Sequence, residues 1–182
     1  MSALIPSGNA TGTGTMTLLA PPTNGTQTVT IPDATGTMMV SGNMPAFSVW
    51  NSSAQTITAS VYTKVTFDTK EFDTNNNFSL ANSRFTPTVA GYYCVTALVQ
   101  ILPTTEALPT MYKNGAEYKR FTYNTSPGNN YDWGGTIACI YMNGSTDYLE
   151  FYMYQNSIAS ASKTTNATQA TTYFNGCLIR VA

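Results

Sequence analysis

RFTPTVAGYYCVTALVQI, residues 84–101, sets an apolar run directly behind a turn. Pro87 presets its own φ and cannot donate to a ladder, and Gly91 is free to take the positive φ of a tight corner. Behind that corner, residues 92–101 read as a strand. Tyr93, Val95, Ala97, Val99 and Ile101 share one face, and Cys94, Thr96, Leu98 and Gln100 share the other. Neither face is properly polar. A strand of this kind is covered on both sides, by two layers of its own domain or by one layer and a neighbouring subunit.

The rest of the composition agrees with a β protein. The 182 residues suit one compact domain with a short appendage. Only 9% are charged, where about a quarter is usual. The net charge of -1 leaves no basic field to attract nucleic acid or an anionic membrane. Thr, Asn, Ser and Gly fill the gap beside 12 Tyr and 8 Phe, a mixture poor in helix formers. No window carries a convincing helical period, which excludes parallel βαβ architectures. The start, MSALIPSGNATGTG, lacks the basic and apolar regions of a signal peptide, and nowhere do roughly 18 apolar residues run together. The expectation is a soluble chain that is not conventionally exported. Asn-x-Ser/Thr triplets at Asn9, Asn24, Asn51, Asn124, Asn143 and Asn166 then arise from composition alone. Cys94, Cys139 and Cys177 each sit in an apolar run without Cys-x-x-Cys spacing, and are expected as buried free thiols.

Two regions differ. Residues 1–43 are rich in Gly, Thr and Pro, hold Asp33 as their one charge, and precede the first Phe, Phe47. Within them TQTVTIPDATGTMMV, residues 26–40, alternates: Val29 and Ile31 precede a turn, and Met38 and Val40 come after it. This predicts a hairpin that must dock on copies of itself or on a larger body. From 44 to 182 strand candidates come at the spacing of a sandwich: 46–50, 61–68, 92–101, 109–112, 117–123, 135–142, 147–155 and 173–181. Asn114-Gly115 and Asn143-Gly144 are hairpin signals between them. In DYLEFYMYQ, residues 147–155, Leu149, Phe151 and Met153 alternate with Tyr148, Tyr152 and Tyr154. The tyrosine face is either a subunit interface or a cross-strand ladder that stabilises its own sheet.

In order along the chain, AFSV (46–49), KVTFD (64–68), RFTPTVAGYYCV (84–95), KNG (113–115), ACIYMNGSTDYLEFYMYQ (138–155) and TTYFNGCLIRVA (171–182) resemble the globular-head domain of complement and its tumour-necrosis-factor-like relatives. The likeness spans roughly residues 45–182. Its best motifs are Phe85, Thr86, Pro87, Gly91, Tyr92 and Tyr93, then Phe174, Gly176 and Leu178. The chain departs from the pattern with Thr-Pro in direct succession, with Cys94 and Cys177 where aromatics are frequent, and with Asn143 to Asp147 where a Gly-Asp turn is usual. The resemblance implies an all-β jelly-roll sandwich that assembles as a tight homotrimer, with strands near the axis covered by neighbours. No calcium site or animal receptor specificity is carried over. TVTIPDATGTMMVSG, residues 28–42, is similar to segments of bacteriophage head and tail fibres.

Chemistry is sparse. The chain has no His, which removes Ser-His-Asp and Cys-His catalysis together with the commonest metal ligand. Glu71 and Asp73 would suit a glycosidase pair on a shared strand face, but KEFDTNNN looks like a solvated loop. No enzyme, no metal and no cofactor are expected. The layout points to a structural virion protein, made in the host cytoplasm and exposed on the particle. Residues 1–43 would anchor it to other virion proteins through Val29, Ile31, Met38 and Val40, and a trimeric head, residues 44–182, would attach to a host-surface glycan or outer-membrane component. The alternative is a decoration protein that stabilises capsid or tail without binding a host. Tyr131, Asp132 and Trp133, in the loop YNTSPGNNYDWGG, are the candidate ligand-binding residues, unless Trp133 folds back onto the barrel end. A secreted adhesion module is disfavoured by the missing signal.

Overall fold

The structure, a computed structural model, describes residues 11–14, 17, 39–40, 42, 44–101, 106–121, 132–157 and 161–182. The chain divides into two units, Met1–Gly36 and Thr37–Ala182, and every element among the described residues is a strand of the second unit. In chain order these are β1 Ala46–Trp50, β2 Thr56–Ile57, β3 Thr63–Lys64, β4 Thr69–Asp73, β5 Phe78–Ser79, β6 Arg84–Phe85, β7 Gly91–Ile101, β8 Glu106–Lys113, β9 Ala116–Arg120, β10 Asp132–Met142, β11 Leu149–Asn156, β12 Lys163–Thr164 and β13 Thr172–Val181. Val29, Ile31 and Met38 of the expected anchor hairpin lie outside the described residues; Val40 is 53% exposed.

The first sheet runs β10-β7-β13-β1-β4 and the second β5-β6-β11-β8-β9, with β3 added on β11 and a small β2-β12 pair beside them. The strand pairs in these sheets are antiparallel. Sequence neighbours therefore change sheets repeatedly, as in a jelly roll. The core lies between the sheets. Tyr93, Val95, Ala97, Val99 and Ile101 of β7 are all fully buried there, so this is the face that looks inward. Phe47 is central, with ring centroids 4.1 Å from Phe85, 4.9 Å from Phe174 and 5.4 Å from Phe78. Such pairs add about 0.5–1.5 kcal/mol each beyond area burial.

The motif residues have specific packing reasons. Tyr93, fully buried, donates its hydroxyl to the Val89 carbonyl at 2.7 Å, tying the start of β7 to the turn before it. Gly91 is not in a positive-φ conformation, contrary to expectation. It is needed because a Cβ there would lie 2.3 Å from the Arg180 carbonyl. Gly176 likewise leaves room for Phe47 and Val95, which a Cβ would meet at 3.1 and 2.8 Å.

Other expectations need correction. The run 61–68 is not one strand: Thr63–Lys64 pairs with β11, Val65 and Phe67 cross buried between the layers, and the next strand, β4, joins the first sheet beside β1. Apolar alternation continues through the crossing while the ladder partner changes. KEFDTNNN is not a loop throughout, since its first four residues belong to β4. Asn114 and Gly115, with φ of 56° and 78°, do close the β8-β9 hairpin. Asn143-Gly144 closes none, because β10 and β11 belong to different sheets. Its Asn143 Oδ1 instead accepts the backbone N–H groups of Ser145, Thr146 and Asp147 in a turn that crosses from one sheet to the other.

Candidate functional site

The two sheets present very different outer faces. On the second, Tyr148, Tyr152 and Tyr154 share a side with Glu150 and are half-buried. Tyr152 stacks on Tyr112 at 3.9 Å, and Tyr62 lies 5.3 Å from Tyr154 and 6.2 Å from Tyr112. The guanidinium of Arg84 sits 3.6 Å above the Tyr148 ring. It also donates to Glu150 at 3.0 Å, where Lys64 adds a bond of 3.1 Å. Burial, with Glu150 and neighbouring tyrosines behind it, raises the Tyr152 phenol above its ordinary pKa; burial and Glu117 do the same for Tyr112. This face is charged and its groups are engaged with one another.

The first sheet's outer face is the reverse. Along β7 it shows Tyr92, Cys94, Thr96, Leu98 and Gln100, the second phase of the alternation. On edge strand β10 it shows Ile137, Cys139 and Tyr141, of which Ile137 is 70% exposed. Tyr141 stands opposite Tyr92, with ring centroids 5.6 Å apart. β13 adds Tyr173, Asn175 and Cys177, and Ile179 is half-exposed beyond. No charge occurs among these positions. Glu71, bonded to the Ser48 hydroxyl at 2.9 Å, and Arg180 mark the margins. A shallow dish lies where β7, β13, β1 and β4 meet, lined by Cys94, Cys177, Asn175, Ser48, Phe72 and the carboxylate-bearing Glu71.

The expected buried thiols are thus corrected: Cys139 and Cys177 are exposed and Cys94 half-buried. All three fall on the outward phase of strands that are apolar in both phases. Sequence reasoning missed Ile137, Tyr141 and Ile179 as well. The signal that would have found them is the want of charge at alternate positions of 135–142 and 173–181.

Other sequence candidates are scattered. Asp132 and Trp133 begin β10, opposite Ile101 and Gln100; their side chains and Tyr131 lie outside the described residues. Glu71 and Asp73 do not form a paired site. Burial works against the Asp73 charge, but Lys70 at 2.7 Å and the N–H groups of Asn77 and Phe78 hold its carboxyl below the ordinary range. At the end where the sheets are joined, Asp147 receives Lys113 at 2.8 Å, Asn114 at 2.8 Å and the Asn143 N–H at 3.0 Å. These bonds outweigh its partial burial and lower its pKa.

No protein-family model matches the chain, and no curated protein matches it in sequence. Solved structures do match in shape. The globular domain of zebrafish complement 1qA protein superposes with a TM-score of 0.58 at 19% identity, covering 76% of this chain and 98% of that one. Murine APRIL gives 0.58 at 8% identity, with 75% and 99% covered. Eiger TNF from S. frugiperda gives 0.55 at 10% identity, with 76% and 93% covered. The chain therefore carries the jelly-roll fold of complement globular-head and tumour-necrosis-factor-like domains.

Proposed function

We propose that this chain is a structural protein of a bacteriophage virion, a homotrimeric fibre or knob whose head is the jelly roll and whose first 43 residues anchor it to other virion proteins. The observation that carries the trimer is the outer face of β10, β7 and β13, where the one charged residue among the described side chains is Arg180 at its end. A second apolar face on a strand whose first face already fills the core calls for a covering surface. A second copy supplies one of matching character with little charge to desolvate. The charged tyrosine face has less need of a partner, because its rings and ions already satisfy one another.

The virion assignment is supported by the likeness of residues 28–42 to phage fibre segments, joined to a head of this fold. The head then offers Tyr131, with Asp132 and Trp133 at the start of β10, to a host-surface glycan or outer-membrane component. Its role is attachment, without catalysis or a cofactor.

Light scattering on the purified chain tests the trimer. The expected mass is three times 19.6 kDa and stable to dilution; a monomer overturns it. Deletion of residues 1–43 is expected to abolish association with particles while leaving the trimer. A trimer that binds particles but no host surface would turn the reading to decoration of the shell.

A further inference from the structure

Three thiols stand in one row on the outer face of the first sheet. The register sets Cys139 directly opposite Cys94, and Cys94 directly opposite Cys177. All three are unbridged. Among the described residues no three His, Cys, Asp or Glu converge as metal ligands would, so the row offers neighbouring pairs.

The two pairs differ in backbone geometry. Gln100 N donates to Thr171 O at 2.8 Å, which extends the β7-β13 register by one hydrogen-bonded position. In an antiparallel ladder the backbone groups of alternate residues point to opposite neighbours. Those of Gln100, Leu98, Thr96 and Cys94 therefore point to β13, and those of the residues between them to β10. Cys94 and Cys177 form a hydrogen-bonded pair; Cys94 and Cys139 form a non-hydrogen-bonded one. Opposed Cβ atoms lie about 4.5–5.5 Å apart, nearer in non-hydrogen-bonded pairs. A disulfide asks for about 3.5–4.5 Å. Cys94 and Cys139 meet that with the least backbone movement.

We propose that Cys94 and Cys139 form a cross-strand disulfide when the chain meets an oxidising environment, leaving Cys177 as a thiol. One protein thiolate attacks a small disulfide such as oxidised glutathione and releases one glutathione. The second thiolate then attacks the mixed disulfide and releases the other. Two protein thiols become one protein disulfide, glutathione disulfide is reduced to two thiols, and the two protons pass to them. The bond fastens edge strand β10 to β7 within the face that carries the thiols. It rests on strand register alone and stands whether or not the chain trimerises.

The test is refolding of the full chain from urea in reduced and oxidised glutathione, so that access to the thiols is not limiting. Free thiols are then alkylated, counted by mass and mapped. The expected result is loss of two of the three thiols, with peptides containing Cys94 and Cys139 joined. Cys177→Ser is expected to form the same bond, and Cys139→Ser to keep its two remaining thiols under the same conditions, with circular dichroism verifying that both variants fold. Three free thiols in the refolded chain, a dominant Cys94–Cys177 bond, or a bond between chains would overturn the proposal.

Discussion

Ile137→Asp separates the two outer faces. In the lone domain Ile137 is 70% exposed, so the change alters monomer stability by no more than about 0.5 kcal/mol. If the first sheet's outer face is covered by another copy, the same substitution forfeits about 1–2 kcal/mol of apolar burial per subunit. It also buries a carboxylate with no partner, at a further cost of several kcal/mol per ion. Since about 1.4 kcal/mol is a factor of ten in an equilibrium constant, the trimer is weakened by at least a hundredfold per subunit. Light scattering across a dilution series should show Ile137→Asp as a monomer with the circular dichroism and melting of a folded β domain. Tyr154→Asp is the contrast, because it breaks the contact with Tyr62 on the other sheet. It should cost some fold stability and keep the mass. A threefold mass for Ile137→Asp together with dissociation of Tyr154→Asp would refute the reasoning and place the interface on the tyrosine face.

Three further outcomes concern the fold. Tyr93→Phe removes the buried hydroxyl that bonds the Val89 carbonyl and should lower unfolding free energy by about 1–2 kcal/mol, read from the urea midpoint; no change would mean that the tether is idle. Gly176→Ala pushes a methyl toward Val95, Phe47 and the Cys94 carbonyl, and about 1–3 kcal/mol of destabilisation is expected, while a neutral result would mean the sheets part easily there. The carboxyls of Asp147, Asp73 and Asp68 lie below their ordinary pKa in the folded chain, with hydrogen bonds outweighing burial. The stability they contribute is complete above the unfolded carboxylate value, about 3.9, and is lost as pH falls below it through the folded values. Asp147→Asn should lower the urea midpoint at neutral pH and flatten its fall in acid; parallel profiles for variant and parent would count against that assignment.

Much of this molecule is local and can be read from its sequence. Alternation over 92–101 marks a two-faced strand wherever it is placed, since successive side chains must point to opposite sides. Asn114-Gly115 specifies its turn because the two residues tolerate the positive φ that the hairpin twist requires. The scarcity of charge in both phases of residues 92–101 announces a strand with no properly polar face. What the sequence left open depends on neighbours distant in the chain. The core face of β7 is chosen by the second sheet closing over Tyr93, Val95 and Ala97. Asn143-Gly144 carries a hairpin's local chemistry, yet β11 finds its partners in β8, β6 and β3, and the turn becomes a crossing. Gly91 has its reason in the Arg180 carbonyl, 89 positions along the chain. The cysteine row exists only because antiparallel pairing brings residues 94, 139 and 177 to one level. Period-two patterning gives each strand two faces, and only the packing of sheet on sheet decides which is buried and what stands beside it.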